Sequence, residues 1–297
     1  METLHSLRQK IDSAEELHAI VRTMKSLAAV HIRQSEQAVE ALGRFSETIE
    51  WGLHVTLHRT AQAIEFVEPI NIQPLGALVI GTNQGLVGGL NQHVARHAVD
   101  ELQRLQPDPD QRTVITVGFR ISDRVERLGI DVNDTLEMAN SVAGLDPLVQ
   151  RLVLRIADWR AHRDIERIVV LYAHPVSEQP YEPRLLHILP IDPLWLREVQ
   201  QREWPTRVIP QYAMDWHDLF SALIQGYLLT ALYRALADSL ASENASRLRS
   251  MQAAEDNIEA HLDKLNAEYR DLRKTSITES LLDIVAGYEA VMEADSS

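Results

Sequence analysis

Proline is confined to the middle of this 297-residue chain. All twelve prolines lie between Pro69 and Pro210, so the first 68 and the last 87 residues contain none. Because a proline costs about 3 kcal/mol in a helix interior, the long proline-free flanks predict uninterrupted helices on both sides of a separate domain. We therefore predict a coiled-coil helix over 1–68, a central domain over 69–210 and a long coiled-coil helix over 211–297.

Both flanks carry residues at the alternating three- and four-residue spacing of a coiled-coil seam. The N-terminal seam comprises Leu4, Leu7, Ile11, Ala14, Leu17, Val21, Met24, Ala28, His31, Ser35, Ala38, Leu42, Phe45 and Ile49. The C-terminal seam comprises Leu240, Asn244, Arg247, Met251, Ala254, Ile258, Leu262, Leu265, Tyr269 and Leu272.

Helix length decides how the two flanks are arranged. Helices over 4–50 and 215–289 would be about 70 and 110 Å long. A compact globule of this size is on the order of 50 Å across. We therefore predict an antiparallel coiled coil that projects from the central domain, with the C-terminal helix extending past its partner.

The last part of the C-terminal flank differs from the rest. Apolar residues lie around much of the predicted helix, at Ile277, Leu281, Leu282, Ile284, Val285, Ala286, Tyr288 and Val291. A helix that is apolar on several sides is expected to be enclosed. If the N-terminal helix does not reach this far, another chain must enclose it.

The middle of the chain alternates between strand and helix patterns. We predict strands at 77–80, 114–117, near Ile130, at 168–172 and at 185–189, and helices at 94–105, near Val125 and at 147–161. This order is typical of a Rossmann-like α/β domain with a largely parallel sheet.

The sequence contains no recognisable self-contained active site. The turn GTNQGLVGGLN over 81–91 could hold a phosphate, but it lacks the GxGxxG and GK[ST] patterns. A tight structural turn is therefore favoured, in which Gly88 and Gly89 let the helix approach the sheet. The pairs His54/His58 and His93/His97 could supply metal ligands; without a third ligand, solvated helix-face histidines are favoured. We predict no cofactor and no metal.

Charge and hydropathy restrict the partners further. The formal net charge is −14 at pH 7, with no basic block, which disfavours binding to nucleic acid or to an anionic membrane surface. The most apolar window, 219–237, contains Gln225 and Arg234. We interpret it as a helix packed against protein rather than a membrane span.

Three local sequences, in order, resemble the gamma subunit of F-type ATP synthases over essentially the whole chain. They are LRQKIDSAEELHAIVRTMKSLAAVHIR near the N-terminus, GLVGGLN in the glycine turn with Val87 where the family has Cys, and ASENASRLRSMQAAEDN with TSITESLLDIVAGYEAV near the C-terminus. The resemblance suggests a divergent bacterial branch.

The resemblance implies a non-catalytic central rotor stalk. Its partners would be the alpha and beta subunits of the hexameric head, the epsilon subunit and the c-ring, so that rotation couples ion translocation to ATP synthesis or hydrolysis. The complex would place the chain peripherally on the cytoplasmic face of the bacterial inner membrane. The alternative is a coiled-coil tether or scaffold that does not rotate.

The resemblance also implies the residues that contact other subunits. They are Met24, Lys25, Glu243, Arg247, Lys274 and Thr278. For Met24, packing within the seam is an equal alternative. For Arg247 a contact is favoured, because an arginine in a seam is costly unless it finds a carboxylate. Lys274 stands where the family usually has Gln, and Ser280 where it usually has Glu, so this C-terminal cluster is matched only in part.

Overall fold

The computed structural model describes residues 3–59, 74–205 and 210–295, with side chains as far as Ala286. The chain forms two compact units: unit 1 is Met1–Leu27 with Ser250–Ser297, and unit 2 is Ala28–Arg249. Two long helices take part in both units, α1 (Leu4–Arg59) and α6 (Trp216–Asp295). The predicted boundary between 68 and 69, and the side chains of Tyr288 and Val291, lie outside the described residues.

Unit 2 contains one mixed five-stranded sheet. Its strands are β1 (Leu75–Ile80), β2 (Arg112–Val117), β3 (Asp134–Leu136), β4 (Arg167–His174) and β5 (Glu182–Leu189), in the order β3-β2-β1-β4-β5. The first four strands are parallel, and β5 pairs antiparallel to β4. This arrangement confirms the predicted α/β domain with a largely parallel sheet.

One predicted strand is misplaced. The third strand begins at Asp134, whereas the apolar pattern indicated a strand near Ile130. Gly129, with φ +87°, ends the preceding helix, and Ile130 packs into the core before the strand begins. A single buried residue after a helix therefore imitated the start of a strand.

Four shorter helices complete unit 2: α2 (Leu90–Leu105), α3 (Phe119–Arg127), α4 (Leu145–His162) and α5 (Pro193–Gln201). The sequence analysis did not predict α5. Its start carries a local signal, because the Asp192 carboxylate accepts a hydrogen bond from the Leu194 N–H at 2.8 Å and Pro193 occupies the first turn.

The sheet is covered on both faces. On one face, α2 and α3 bury residues such as Leu102 and Val125 against β1, β2 and β4. On the other face, α4 and α6 bury Leu152 and Leu236. By length and composition alone, α6 contains a window apolar enough to cross a membrane. Only 22% of that window is buried inside the described structure. Leu232 and Leu236 are fully buried against protein, so the packed interpretation holds for part of the predicted segment 219–237.

The helix pair of unit 1 is antiparallel. Leu7, Ile11 and Ala14 of α1 bury their side chains with Leu265 of α6, and the aromatic ring of Tyr269 packs beside them. Further along α1, Lys25 donates a hydrogen bond to Gln252. The residue number of the α6 partner therefore falls as the residue number on α1 rises. This is the direction that the sequence predicts.

The parts of α1 and α6 within unit 2 are also antiparallel to each other. A Cβ placed at Gly226 would lie 3.0 Å from Ile49, and one placed at Gly52 would lie 2.7 Å from Leu223. These two glycines let α1 and α6 approach closely. The ten predicted seam positions of α6 are all buried or half-buried.

The predicted seam of α1 is wrong at two positions. Leu17, in unit 1, and Phe45, in unit 2, each expose more than half of their surface. His18 and Ser46 are half-buried in their place. At Leu17 the predicted seam takes two consecutive three-residue steps, from Ile11 to Ala14 to Leu17, which rotate the position away from the seam because three residues turn an α-helix by less than a full circle. At Phe45 the spacing is regular, and the folded helix uses Ser46 instead. The folded helix restores the seam with a four-residue step.

Candidate contact sites on the long helices

The C-terminal part of α6 exposes a run of large apolar side chains. Between 51% and 68% of the surface is exposed for Ile277, Leu281, Leu282, Ile284 and Val285. The N-terminal helix packs no further along α6 than Leu272 in the described part of unit 1. We call residues 277–285 the apolar tip. An exposed apolar run of this kind is typical of a surface that another protein covers.

Two predicted contact residues lie beside the apolar tip. Lys274 and Thr278 are both exposed, and the Thr278 hydroxyl donates a hydrogen bond to the Lys274 carbonyl oxygen at 2.9 Å. This bond is local to the helix and leaves the Lys274 ammonium group exposed. The position of both side chains is compatible with contact to another chain.

The other two predicted contact residues in unit 1 lie at the seam. Met24, a predicted seam position, is half-buried. Lys25 forms an ion pair with Glu255 and a 3.0 Å hydrogen bond to Gln252, both on α6. The Lys25 ammonium group is therefore engaged within the chain.

Glu255 is the centre of a small ionic network in unit 1. Besides Lys25, the Arg22 Nε atom lies 3.5 Å from a Glu255 carboxylate oxygen, and His18 Nε2 lies 3.8 Å from it and 3.2 Å from Glu259. His18, Glu255 and Glu259 bring three metal-ligand atoms within 4.8 Å of one another. Because Lys25 and Arg22 already neutralise Glu255, the chemistry of this group is that of an ion-pair network.

This network lowers the pKa of one carboxyl group. The hydrogen bond from Lys25 holds the pKa of Glu255 below its ordinary value of 4.5; partial burial opposes this, and the charges of Lys25, Arg22 and His18 add to the lowering. The Glu255 side chain is 8% exposed. Its cover is a single layer of side chains on a two-helix element with water beyond, so salt should screen the network.

Acid is expected to loosen the helix pair of unit 1. A carboxyl group whose pKa is lowered on folding stabilises the folded form above its unfolded pKa, near 4.5, and this contribution is lost as the pH falls through the lowered pKa. Amide hydrogen exchange of 4–27 and 250–272, corrected for intrinsic rates, should therefore show more frequent opening at pH 3 than at pH 5.

The control uses two glutamates of the same network. In Glu255→Gln, opening should already be frequent at pH 5 and should change little below it. Glu259→Gln, which alters an exposed carboxylate, should retain most of the wild-type pH dependence. An unchanged pH profile in Glu255→Gln would contradict this assignment.

Glu243 and Arg247 lie together in unit 2. The Arg247 Nη2 donates to a Glu243 carboxylate oxygen at 2.5 Å, and Nη1 donates to the Asn244 side-chain oxygen at 3.2 Å. Their side chains are only 10% and 13% exposed. Burial raises the pKa of Glu243, and Arg247 opposes that rise. Arg247 therefore finds the carboxylate that it requires in Glu243 on its own helix.

The glycine turn is held by internal hydrogen bonds. Asn91 accepts from the Thr82 N–H at 3.1 Å and donates to the Thr82 hydroxyl at 2.8 Å. The hydroxyl of Ser246 on α6 donates to the Val87 carbonyl at 2.6 Å. Gly88 has φ +57°, but the closest approach is at Gly81, where a Cβ would lie 2.4 Å from Ile121. These contacts favour the predicted structural turn and correct which glycine permits the close approach.

One of the predicted solvated histidines is buried. His54 is 3% exposed, its Nδ1 lies 2.9 Å from the Val199 carbonyl, and its ring stacks on His58 with centroids 5.5 Å apart. Val199 belongs to α5, so the unpredicted helix is what covers His54. His58 and His93 are exposed, as predicted, and His97 is half-buried.

Comparison with known proteins identifies the class to which this arrangement belongs. A family model described as ATP synthase matches residues 3–291. The chain is 25% identical to the ATP synthase gamma chain of Cupriavidus pinatubonensis, over 96% of this chain and 98% of that one. It is 24% identical to the ATP synthase gamma chain of Nitrosomonas eutropha, over 98% of this chain and all of that one.

Solved structures share the fold. A chain of the Euglena gracilis mitochondrial ATP synthase (OSCP/F1/c-ring) aligns with a TM-score of 0.61 at 17% identity, covering 99% of this chain and 96% of that one. A chain from the Tetrahymena thermophila mitochondrial ATP synthase central stalk and c-ring aligns with a TM-score of 0.52 at 19% identity, covering 79% and 99%. Long terminal helices flanking an α/β domain are therefore the fold that this chain shares with these two chains. The chain belongs to the ATP synthase gamma-chain family.

Proposed function

We propose that this chain is the central rotor stalk of an F-type ATP synthase. Its rotation would couple ion translocation through the membrane ring to ATP synthesis or hydrolysis in the alpha/beta head. The observation that carries the proposal is the apolar tip, which is exposed in the C-terminal part of a helix of 80 residues. If the tip rotates inside a ring of other subunits, the ring would enclose this apolar surface without any one residue serving as its fixed partner.

The helices suit a part that transmits torque. Neither α1 nor α6 contains a proline, so neither has the commonest cause of a sharp helix kink. Gly226, one of the weaker points of α6, is packed against Ile49 of α1. Two helices supported in this way resist bending better than an isolated one.

The partners of the chain follow from the same proposal. The alpha and beta subunits would surround the apolar tip, while the epsilon subunit and the c-ring would contact unit 2. The chain itself would perform no bond chemistry. It would lie peripherally on the cytoplasmic face of the bacterial inner membrane, held there by the complex.

The six proposed contact residues fall into two groups. Lys274 and Thr278 are exposed and are available for direct contact with the head. Met24, Lys25, Glu243 and Arg247 already have contacts within the chain. For this second group, contact with a beta subunit would require an exchange of partners, and the buried Glu243–Arg247 pair would lose most by it.

A rotation experiment separates a rotor from a tether. The chain contains no cysteine, so Gln103→Cys on the exposed face of α2 would provide a unique attachment point for an optical probe. In a complex whose alpha/beta head is immobilised, we expect the probe to rotate in one direction on addition of ATP. A probe that stays fixed while the head hydrolyses ATP would contradict the proposal and would favour a static tether.

A further inference from the structure

Unit 2 contains a cavity that the rotor function does not use. It has a volume of about 290 Å³ and lies where α1, α6, α5 and the β4–β5 edge of the sheet meet. That volume is near the lower end of the range for small-molecule sites. The residues that matter most are Gly43, Tyr172, Trp195, Tyr227, Arg234 and Asp238.

A glycine opens the cavity where packing does not require one. Gly43 lies in the interior of α1, where glycine is less favourable than alanine. A Cβ placed at Gly43 would meet no atom within 4 Å. The helix glycines Gly52 and Gly226 differ, because a Cβ there would press against Leu223 or Ile49. Gly43 lines the cavity and is exposed, so helix packing does not account for the glycine at this position.

Aromatic rings form one wall of the cavity. The rings of Trp195 on α5 and Tyr227 on α6 are 4.4 Å apart at their centroids, and their planes are inclined at 31°. Tyr172 of β4 also lines the cavity. Aromatic surfaces of this kind favour a ligand that presents a flat ring for stacking or edge contact.

Among the described residues, the charges around the cavity leave one arginine without a carboxylate partner. The Asp238 carboxylate, only 5% exposed, is 2.9 Å from His174 Nδ1. Glu50 pairs with Arg202 at 2.8 Å, and Arg184 pairs with Glu182 at 2.6 Å.

Arg234 has no ion pair with a carboxylate in the described parts of the chain, although it lines the cavity. Its guanidinium group can bind a phosphate or carboxylate with two hydrogen bonds.

We infer that this cavity binds a small aromatic anion, a molecule with one or two fused rings and a single phosphate or carboxylate group. The ring packs against Trp195 and Tyr227, and the anionic group pairs with Arg234. A cavity of about 290 Å³ suits the enclosed part of a ligand no larger than about a nucleoside monophosphate. A bound ligand contacts α1, α6 and the sheet at once, so it stabilises unit 2 by mass action.

Calorimetric titration of the full-length subunit tests the inference. The probes are adenosine 5′-monophosphate and indole-3-acetate, with adenosine and inorganic phosphate as controls that each lack one recognition element. We expect at least one aromatic anion to bind with a dissociation constant below about 1 mM and to raise the melting temperature by about 3 °C at ten times that constant. Adenosine and phosphate should bind at least tenfold more weakly.

Two pairs of variants locate the site. Gly43→Leu fills the cavity and should weaken binding at least tenfold, while Gly43→Ala should retain most of it. Both should fold, since leucine and alanine are better helix formers than glycine. Arg234→Gln should weaken binding of the anions, whereas Arg151→Gln, which alters an exposed arginine on α4, should not. Absence of binding by both anions, or equal binding to wild type and Gly43→Leu, would overturn the inference.

Discussion

Replacing Arg247 by alanine is expected to lower the free energy of unfolding of unit 2 by about 3–5 kcal/mol. The substitution leaves the Glu243 carboxylate, in a residue that is 7% exposed, without its only ion-pair partner in the described chain. Breaking a buried pair by removing one member costs more than the pair contributes, because the remaining charge stays desolvated. Chemical denaturation of the full-length subunit at pH 7 measures the loss.

The matched control is two residues further along the same helix. Arg249 is exposed, and Arg249→Ala should change the free energy of unfolding by less than about 0.5 kcal/mol. A double variant, Glu243→Gln with Arg247→Met, should recover part of the loss, because it buries no charge. These variants separate the loss of a charge from the loss of a buried pair.

The pH dependence gives a second readout for Arg247→Ala. Burial raises the pKa of Glu243, and removal of Arg247 removes the charge that opposes this rise. The protonated carboxyl group is buried at lower cost, so the destabilisation should shrink as the pH falls through the raised pKa.

If stability is unchanged in Arg247→Ala while coupled ATP synthesis falls, Arg247 is a contact residue, as the family resemblance implies.

Charging the apolar tip is expected to reduce coupled ATP synthesis at least tenfold. In the triple variant Leu281→Asp, Ile284→Asp and Val285→Asp, three exposed apolar side chains become carboxylates. If the alpha/beta head encloses these positions, each carboxylate must lose water without gaining a partner, which costs several kcal/mol in total. Reconstituted complexes in sealed vesicles provide the measurement.

The control for the tip variant adds the same charge elsewhere on α6. Ala253, Ala260 and Ala267 are exposed and recur every seven residues. Their triple replacement by aspartate introduces three carboxylates and a comparable loss of helix propensity, and it should leave most of the coupling intact. Denaturation of unit 2 should be unaltered in both triple variants. Equal coupling in the two would contradict an enclosed tip.

Most of the architecture was predictable because its determinants are local. The distribution of proline and the seam spacing predicted α1, α6 and their antiparallel pairing, and the strand and helix patterns predicted four of the five strands. The errors occurred where distant parts of the chain decide the environment. Phe45 fits the seam by spacing and Leu17 does so only after an irregular step, yet the folded chain half-buries His18 and Ser46 instead.

The candidate site was predictable only as a set of positions. The resemblance placed contacts at Lys25, Glu243 and Arg247, but it did not indicate that Lys25 pairs with Glu255, 230 positions away. Nor did the seam pattern show that Glu243, four residues before Arg247, would be buried with it. Spacing on a helix shows which residues share a face, whereas burial depends on what packs against that face.

The sequence by itself determined that two proline-free helices flank an α/β domain and that the end of the second helix is apolar on several sides. Backbone preference and hydrophobic periodicity act over a few residues, so helices and strands can be predicted from the sequence. Only the tertiary structure decided that the apolar end stays exposed, that Glu243 neutralises Arg247, and that Gly43 opens a cavity beside Arg234. Each of these features depends on which distant residues pack nearby, and the local sequence pattern does not contain that information.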